Sequence, residues 1–208
     1  MTLRHLLIQR AARLQERPAL SAPDWGTLSY GAWRNRVEGI GLGLLAEPIP
    51  PGSPVFAHRG DAWDWAAETA AACCGLVWDP KAPELDPALF GGARFNDEHG
   101  RQGYHDRDDL VRDETPFHAG LTQGEVLLRL QRWNRSLGWD HATELRLPSS
   151  RLADPETRAA LWNALYAGAY VRLEPEAGTA AKGWFGRARE THTAPTWDPE
   201  PFRDFWKP

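Results

Sequence analysis

The sequence predicts an α/β domain with a mostly parallel sheet, three layers, helices on both faces and a small N-terminal β-hairpin. Two strand–helix–strand units carry that expectation. Val55-Phe56-Ala57 and Leu76-Val77-Trp78 are short apolar runs flanking a helical stretch that Asp61 can cap and Gly75 can stop. Farther on, residues 143–147 and 169–173 flank a helix that opens on Asp154-Pro155 and stops at Gly168. A strand, a covering helix and a second strand in about thirty residues is the minimal crossover of a parallel sheet. Ligands of such sheets sit at the carboxyl ends of the strands.

The elements follow in order. Leu3, Leu7, Ala11 and Leu14 share one face of a helix over 3–15, ended by Arg17-Pro18. Ala19-Leu20-Ser21-Ala22 and Thr27-Leu28-Ser29-Tyr30, joined by Pro23-Asp24-Trp25-Gly26, form the hairpin. Tyr30, Trp33, Val37, Ile40 and Leu44 mark a second helix. Pro51-Gly52-Ser53-Pro54 then turns the chain into the first crossover. Beyond Pro80, residues 83–89 read as a short helix, Ala93-Arg94-Phe95 as a weak strand, and the polar stretch 96–114 as an exposed acidic loop. Thr122-Gln123-Gly124-Glu125 has the spacing of a capping box, and Val126, Leu130, Trp133 and Leu137 continue as a buried stripe ending at Gly138. Residues 1–175 thus form the α/β domain. Residues 176–208 form a loop-like tail whose last turn, Pro201-Phe202-Arg203-Asp204-Phe205-Trp206, is expected to dock on the core or on a partner.

Composition narrows the function classes. The chain has 208 residues and a net charge of −4, with its basic residues scattered. Nucleic acid is therefore not an expected partner. No apolar run reaches the roughly 20 residues that span a bilayer, so no membrane partner is expected. The two cysteines, Cys73 and Cys74, are adjacent on a helix and point about 100° apart, which disfavours a mutual bridge. Unpaired, buried cysteines suit a cytoplasmic protein. Arginine outnumbers lysine 21 to 3, a compositional bias and not a basic surface.

The order of these motifs resembles the N-terminal portion of adenylate-forming enzymes: acyl-CoA synthetases, related ligases and peptide-synthetase adenylation domains. The resemblance runs over roughly residues 3–173. It rests on Arg17-Pro18-Ala19-Leu20, Leu28-Ser29-Tyr30, Pro51-Gly52-Ser53-Pro54-Val55 and Gly75-Leu76-Val77-Trp78-Asp79-Pro80, then on Gly120-Leu121-Thr122, Leu147-Pro148 and the stretch 165–173. It implies an ATP-binding loop rich in Ser, Thr and Gly with a Pro-Lys-Gly. Here that place holds Asp113-Glu114-Thr115-Pro116-Phe117-His118-Ala119-Gly120, with one glycine, no lysine and two carboxylates. Carboxylates beside a triphosphate oppose its binding. Leu147-Pro148-Ser149-Ser150 replaces the family's aromatic–histidine element, and its later catalytic motifs have no counterpart.

No catalytic residue is therefore assigned, and no cofactor and no metal are expected. His99, His105, Asp106, Asp108 and Asp109 match no metal-ligand spacing. Candidates for an anion or small ligand are His118, Thr122 and Gln123, beside a helix N-terminus, and Ser149 at a strand end. No Gly-x-Ser-x-Gly elbow surrounds Ser149, so serine-hydrolase chemistry is not expected. Asn134-Arg135-Ser136 fits a glycosylation acceptor but falls inside a helix. The expected function is that of an acyl-CoA synthetase-like domain without adenylation activity, acting as a binding or interaction module for a protein or a second copy. The alternative is a subunit of a split acyl-activating ligase that another chain completes.

Overall fold

The computed structural model describes residues 1–46, 49–86, 98–175 and 197–207, with 98–103 followed as backbone only. Helices α1 (Leu3–Leu14), α2 (Tyr30–Leu44), α3 (Ala62–Cys73), α4 (Glu98–Leu110), α5 (Gln123–Leu137) and α6 (Pro155–Ala167) cover eight strands. These are β1 (Pro18–Ala22), β2 (Gly26–Ser29), β3 (Pro54–Val55), β4 (Val77–Trp78), β5 (Pro116–His118), β6 (Leu121–Thr122), β7 (Glu144–Pro148) and β8 (Tyr170–Glu174). The fold is α/β, as the sequence predicts.

The strands divide between two sheets, ordered β2-β1-β8-β7 and β3-β4-β5-β6. Each has two parallel pairings, and its one antiparallel pairing lies at an edge. Both predicted crossovers pair directly, β3 with β4 around α3 and β7 with β8 around α6. The hairpin β1–β2 extends the second crossover: Leu20 lies opposite Val171. The two-residue lengths of β3 and β4 explain why each crossover builds its own small sheet. Strands so short offer few ladder bonds, and helices supply the continuity.

That continuity is aromatic. Trp33 of α2 stacks on Trp65 of α3, with centroids 6.2 Å apart and planes at 15°. Trp65 meets Trp162 of α6 edge-on at 4.9 Å, and Phe117 of β5 meets Trp162 at 5.4 Å. Edge-to-face pairs of this kind contribute about 0.5–1.5 kcal/mol each beyond area burial. Glu68 of α3 lies in the same core. It ion-pairs with Arg158 and accepts from Trp162 Nε1 at 3.0 Å, while the Arg158 guanidinium sits 4.6 Å from the centre of the Trp78 ring.

Two expectations are corrected here. Part of the stretch read as an acidic loop, 96–114, is helix α4. Its docking surface is sparse in apolar residues: Tyr104 receives the Arg4 guanidinium at 4.0 Å, Arg4 Nε donates to Asp108 at 2.7 Å, and Arg107 donates to the Ile49 carbonyl. Gly41 of α2 makes the approach possible, since a Cβ there would lie 2.6 Å from the Tyr104 ring. The described start of the predicted helix 83–89 is not helical, because Glu84 bridges to Phe56 in the sheet direction. The rest of that helix and the predicted strand at 93–95 lie outside the described residues.

Candidate functional site

The carboxyl end of β5 is where the sequence places three of its four candidates. Pro116 lies opposite Thr122 and His118 opposite Leu121, so β5 and β6 are joined by Ala119 and Gly120 alone. Both sit at positive φ, 51° and 78°, as a type I′ hairpin turn requires. This turn and the strand before it occupy the stretch, 113–121, where the resemblance implies a loop rich in Ser, Thr and Gly.

The turn feeds straight into α5, and the amides there are all engaged. Thr122 N donates to Glu125 Oε2 at 2.8 Å, Gln123 N to the Thr115 carbonyl at 2.9 Å and Gly124 N to the Asp113 carbonyl at 2.8 Å. Glu125 N donates to Thr122 Oγ1 at 3.3 Å, completing the capping box. The Thr122 amide and hydroxyl hold the Glu125 carboxyl below the usual range. A helix start whose donors are spent on its own chain offers little to an incoming anion. Gln123 is fully buried and acts as a clasp: its Oε1 accepts from Leu3 N at 3.0 Å and its Nε2 donates to the Ala72 carbonyl at 2.7 Å.

His118 Nδ1 donates to the Trp78 carbonyl at 2.8 Å, which fixes the proton on that nitrogen because a carbonyl only accepts. Its ring is roofed by Trp206, edge-on at 4.6 Å and 89°. Trp206 belongs to a C-terminal strap, residues 197–207. The strap carries one short 3₁₀ turn (Glu200–Phe202) and buries Phe202, Phe205 and Trp206. Trp206 Nε1 donates to the Pro155 carbonyl at 2.7 Å, Trp133 Nε1 to Pro201 at 2.7 Å, and Arg129 to the carbonyls of Phe205 and Lys207. A run of aromatic residues near a chain end was the visible signal for this strap; its position over His118 was not legible.

Ser149 lies in the other sheet's territory. It follows β7 and lines a cavity of about 120 Å³ with Asp24, Trp25, Gly60, Asp61 and Leu173, at the carboxyl ends of β1, β7 and β8. Asp61 caps α3 there, accepting from Trp63 N at 2.8 Å, and Arg59 Nε lies 3.3 Å from its other oxygen. Burial pushes the nearby Asp64 carboxyl up, although it accepts from the Arg59 and Gly60 amides. The cavity is smaller than the roughly 300–1,000 Å³ of ligand pockets. The structure therefore gathers His118, Thr122 and Gln123 around one strand end and leaves Ser149 apart. A larger cavity, about 370 Å³, opens between α1, α2 and α4, where Arg4 and Asp108, and Arg34 and Glu38, pair across its wall. Among the described residues no cluster of His, Cys, Asp or Glu could hold a metal, and no helix is long and apolar enough to cross a membrane. Asn134, of the glycosylation-like triplet, donates to the Trp139 carbonyl at 3.0 Å from within α5.

No protein-family model and no curated protein matches the chain. Solved structures do. The N-terminal subdomain of Klebsiella oxytoca NpsA superposes with a TM-score of 0.57 at 13% identity, over 84% of this chain and 54% of that one. The same subdomain is known in complex with 3-hydroxybenzoyl-AMSN. The N-terminal domain of FACL13 from Mycobacterium tuberculosis gives 0.60 at 13% identity, over 84% and 57%. A four-domain nonribosomal peptide synthetase bound to AMP and glycine gives 0.64 at 16% identity, over 84% and 16%. The chain thus spans little more than half the length of the NpsA and FACL13 structures. Over most of its own length, it carries the fold of the N-terminal domains of adenylate-forming enzymes.

Proposed function

We propose that this chain is a ligase-like domain without adenylation activity of its own, working in the cytoplasm as a binding or interaction module for a protein partner or a second copy. One observation carries the reading: the β5–β6 connection is the two-residue turn Ala119–Gly120, and the four amides from Thr122 to Glu125 are already bonded. Triphosphate binding at such a place relies on free backbone donors and a positive charge. The amides are spent, no lysine lies within 113–121, and Asp113 and Glu114 stand close by in sequence. Trp206 adds cover to the same strand end.

Isothermal titration of the full chain with Mg-ATP, and with 3-hydroxybenzoyl-AMSN, tests the reading. No binding is expected for either up to about 1 mM; a dissociation constant in the micromolar range, around −8 kcal/mol, would overturn it.

A second reading, a subunit of a split acyl-activating ligase, draws support from the short span over the NpsA and FACL13 structures. It expects ATP–pyrophosphate exchange to appear when a chain supplying the glycine-rich loop co-purifies with this one. A pull-down from the native cells that recovers no such chain counts against it.

A further inference from the structure

We propose that the groove formed by α5, the first turn of α6 and the end of β5 is a peptide-docking site. Its resident ligand is the chain's own C-terminus. Its partner in trans is a protein segment with the same aromatic pattern, Phe-x-x-Phe-Trp. This rests on the reading of the chain as an interaction module and names the surface and the class of partner.

The seated strap shows what the groove recognises. Arg129 donates to the carbonyls of Phe205 and Lys207, and Trp133 to that of Pro201. These donors read main-chain carbonyls of a segment coiled into successive tight turns, with Phe205 N donating to the Phe202 carbonyl at 3.0 Å and Phe202 N to that of Pro199 at 2.9 Å. Selectivity comes from the side chains. Phe205 packs edge-on against Trp133 at 5.3 Å and Trp206 edge-on against His118 at 4.6 Å, while Phe202 lies tilted against Trp139 at 5.7 Å. Backbone bonds for affinity and side-chain pockets for selectivity is the division of labour found where folded domains bind peptides. Buried aromatic anchors at a groove's centre are also the residues that dominate interface energetics.

The strap is held by side-chain packing and side-chain donors: Phe202, Phe205 and Trp206 lie in the hydrophobic core. Among the described residues it pairs with neither sheet, so its release breaks no strand ladder. Twenty-one residues separate Pro175, just after β8, from Trp197. A ligand tethered on the same chain competes at an effective concentration on the order of 1 mM. A trans partner must exceed that competition, or act when the strap is weakened.

The test uses the full chain carrying Phe205→Ala and Trp206→Ala, beside the unaltered chain. A fluorescein-labelled peptide of residues 197–207 is titrated and read by anisotropy. The peptide is expected to bind the variant with a dissociation constant of about 10 μM. It should bind the unaltered chain roughly 100-fold more weakly, the ratio of about 1 mM to about 10 μM. A peptide with Ala in place of both anchors should not bind. Equal affinity for the two proteins, equal affinity for the two peptides, or a variant that no longer folds would each overturn the proposal. The last outcome would make the strap a fixed part of the core. Hydrogen exchange on the unaltered chain gives an independent reading. Strap amides should exchange at least ~10-fold faster than those of α5, and protection equal to α5 also overturns it. Mg-ATP titrated into the same samples separates the two ideas: ATP binding removes the functional reading and leaves the peptide result standing, whereas absent peptide binding does the reverse.

Discussion

Glu68→Gln should be among the most damaging conservative substitutions in this protein. The Glu68 and Arg158 side chains are 1% and 7% exposed and pair with each other. Glutamine keeps the volume and can still accept from Trp162 Nε1, which now bonds Glu68 at 3.0 Å. What it removes is the charge that faces the buried guanidinium. Arg158 would be left with the Trp78 ring at 4.6 Å, and its Nε has no acceptor among the described residues. The ring contact exists before and after the change, so it offsets nothing. Breaking one side of a buried pair costs about 3–5 kcal/mol. Against the ~5–15 kcal/mol that holds a typical domain folded, that is between about a fifth and all of the stability. Removing both charges together, Glu68→Gln with Arg158→Met, should cost far less, because no unpaired charge stays buried and glutamine still accepts from Trp162 Nε1. Urea unfolding followed by the fluorescence of the eleven tryptophans would measure both. A loss below about 1 kcal/mol for Glu68→Gln, or a double variant as unstable as the single, would show that water reaches this pair and that the reasoning is wrong.

Two further expectations concern the turn and the thiols. Ala119 holds φ at 51°, a left-handed conformation that costs a side-chain-bearing residue about 1–2 kcal/mol, so Ala119→Gly should stabilise the fold by a few tenths to about 1 kcal/mol once glycine's entropy is counted, read as a higher urea midpoint; a lower midpoint refutes the turn geometry. Burial pushes the Cys74 thiol up to about 12 from 9.0 and moves Cys73 in the same direction, so the folded state keeps protons that the unfolded state loses above about pH 9. Stability is then fully present below that pH and falls as pH rises through 9 towards 12. Urea midpoints at pH 7.5 and 10 check the sign, and a thiol reagent that labels the native chain at pH 8 would contradict the burial.

How much of this was legible in the sequence depended on which physical signal each element carries. The first crossover and α5 were readable because caps and apolar periodicity coincide there: Asp61 caps α3, and Thr122 and Glu125 box the start of α5. Asp154 marks the start of α6 but caps nothing, since its carboxylate pairs with Arg151 at 2.7 Å. Helix α4 escaped because its docking depends on Tyr104, Arg107 and a partner arginine from α1, a pattern that apolar periodicity does not register. The division into two sheets escaped for a related reason. Pairing between short strands is decided by long-range contacts such as the Trp33–Trp65–Trp162 series, and no local propensity encodes those. At the candidate site, residue types were visible but their bonds were not. Gln123 looked like a free polar group at a helix start and is a buried clasp between α1 and α3.

The short turn and the strap are best understood together. With only Ala119 and Gly120 between β5 and β6, little main chain is available to cover the end of the sheet beside His118. Left open, that end would present the His118 ring together with the faces of Trp133 and Trp139, an apolar surface of the kind that draws a partner. The strap supplies that cover from a distant part of the sequence, with Trp206 over the His118 ring and Phe205 against Trp133. Under the docking proposal, the strand end that the resemblance would place beneath a Ser-, Thr- and Gly-rich loop is covered here by a segment of peptide. The helices that build the core also place the strap's partners: Trp133 of α5 bonds the Pro201 carbonyl, and Trp206 bonds the Pro155 carbonyl at the start of α6.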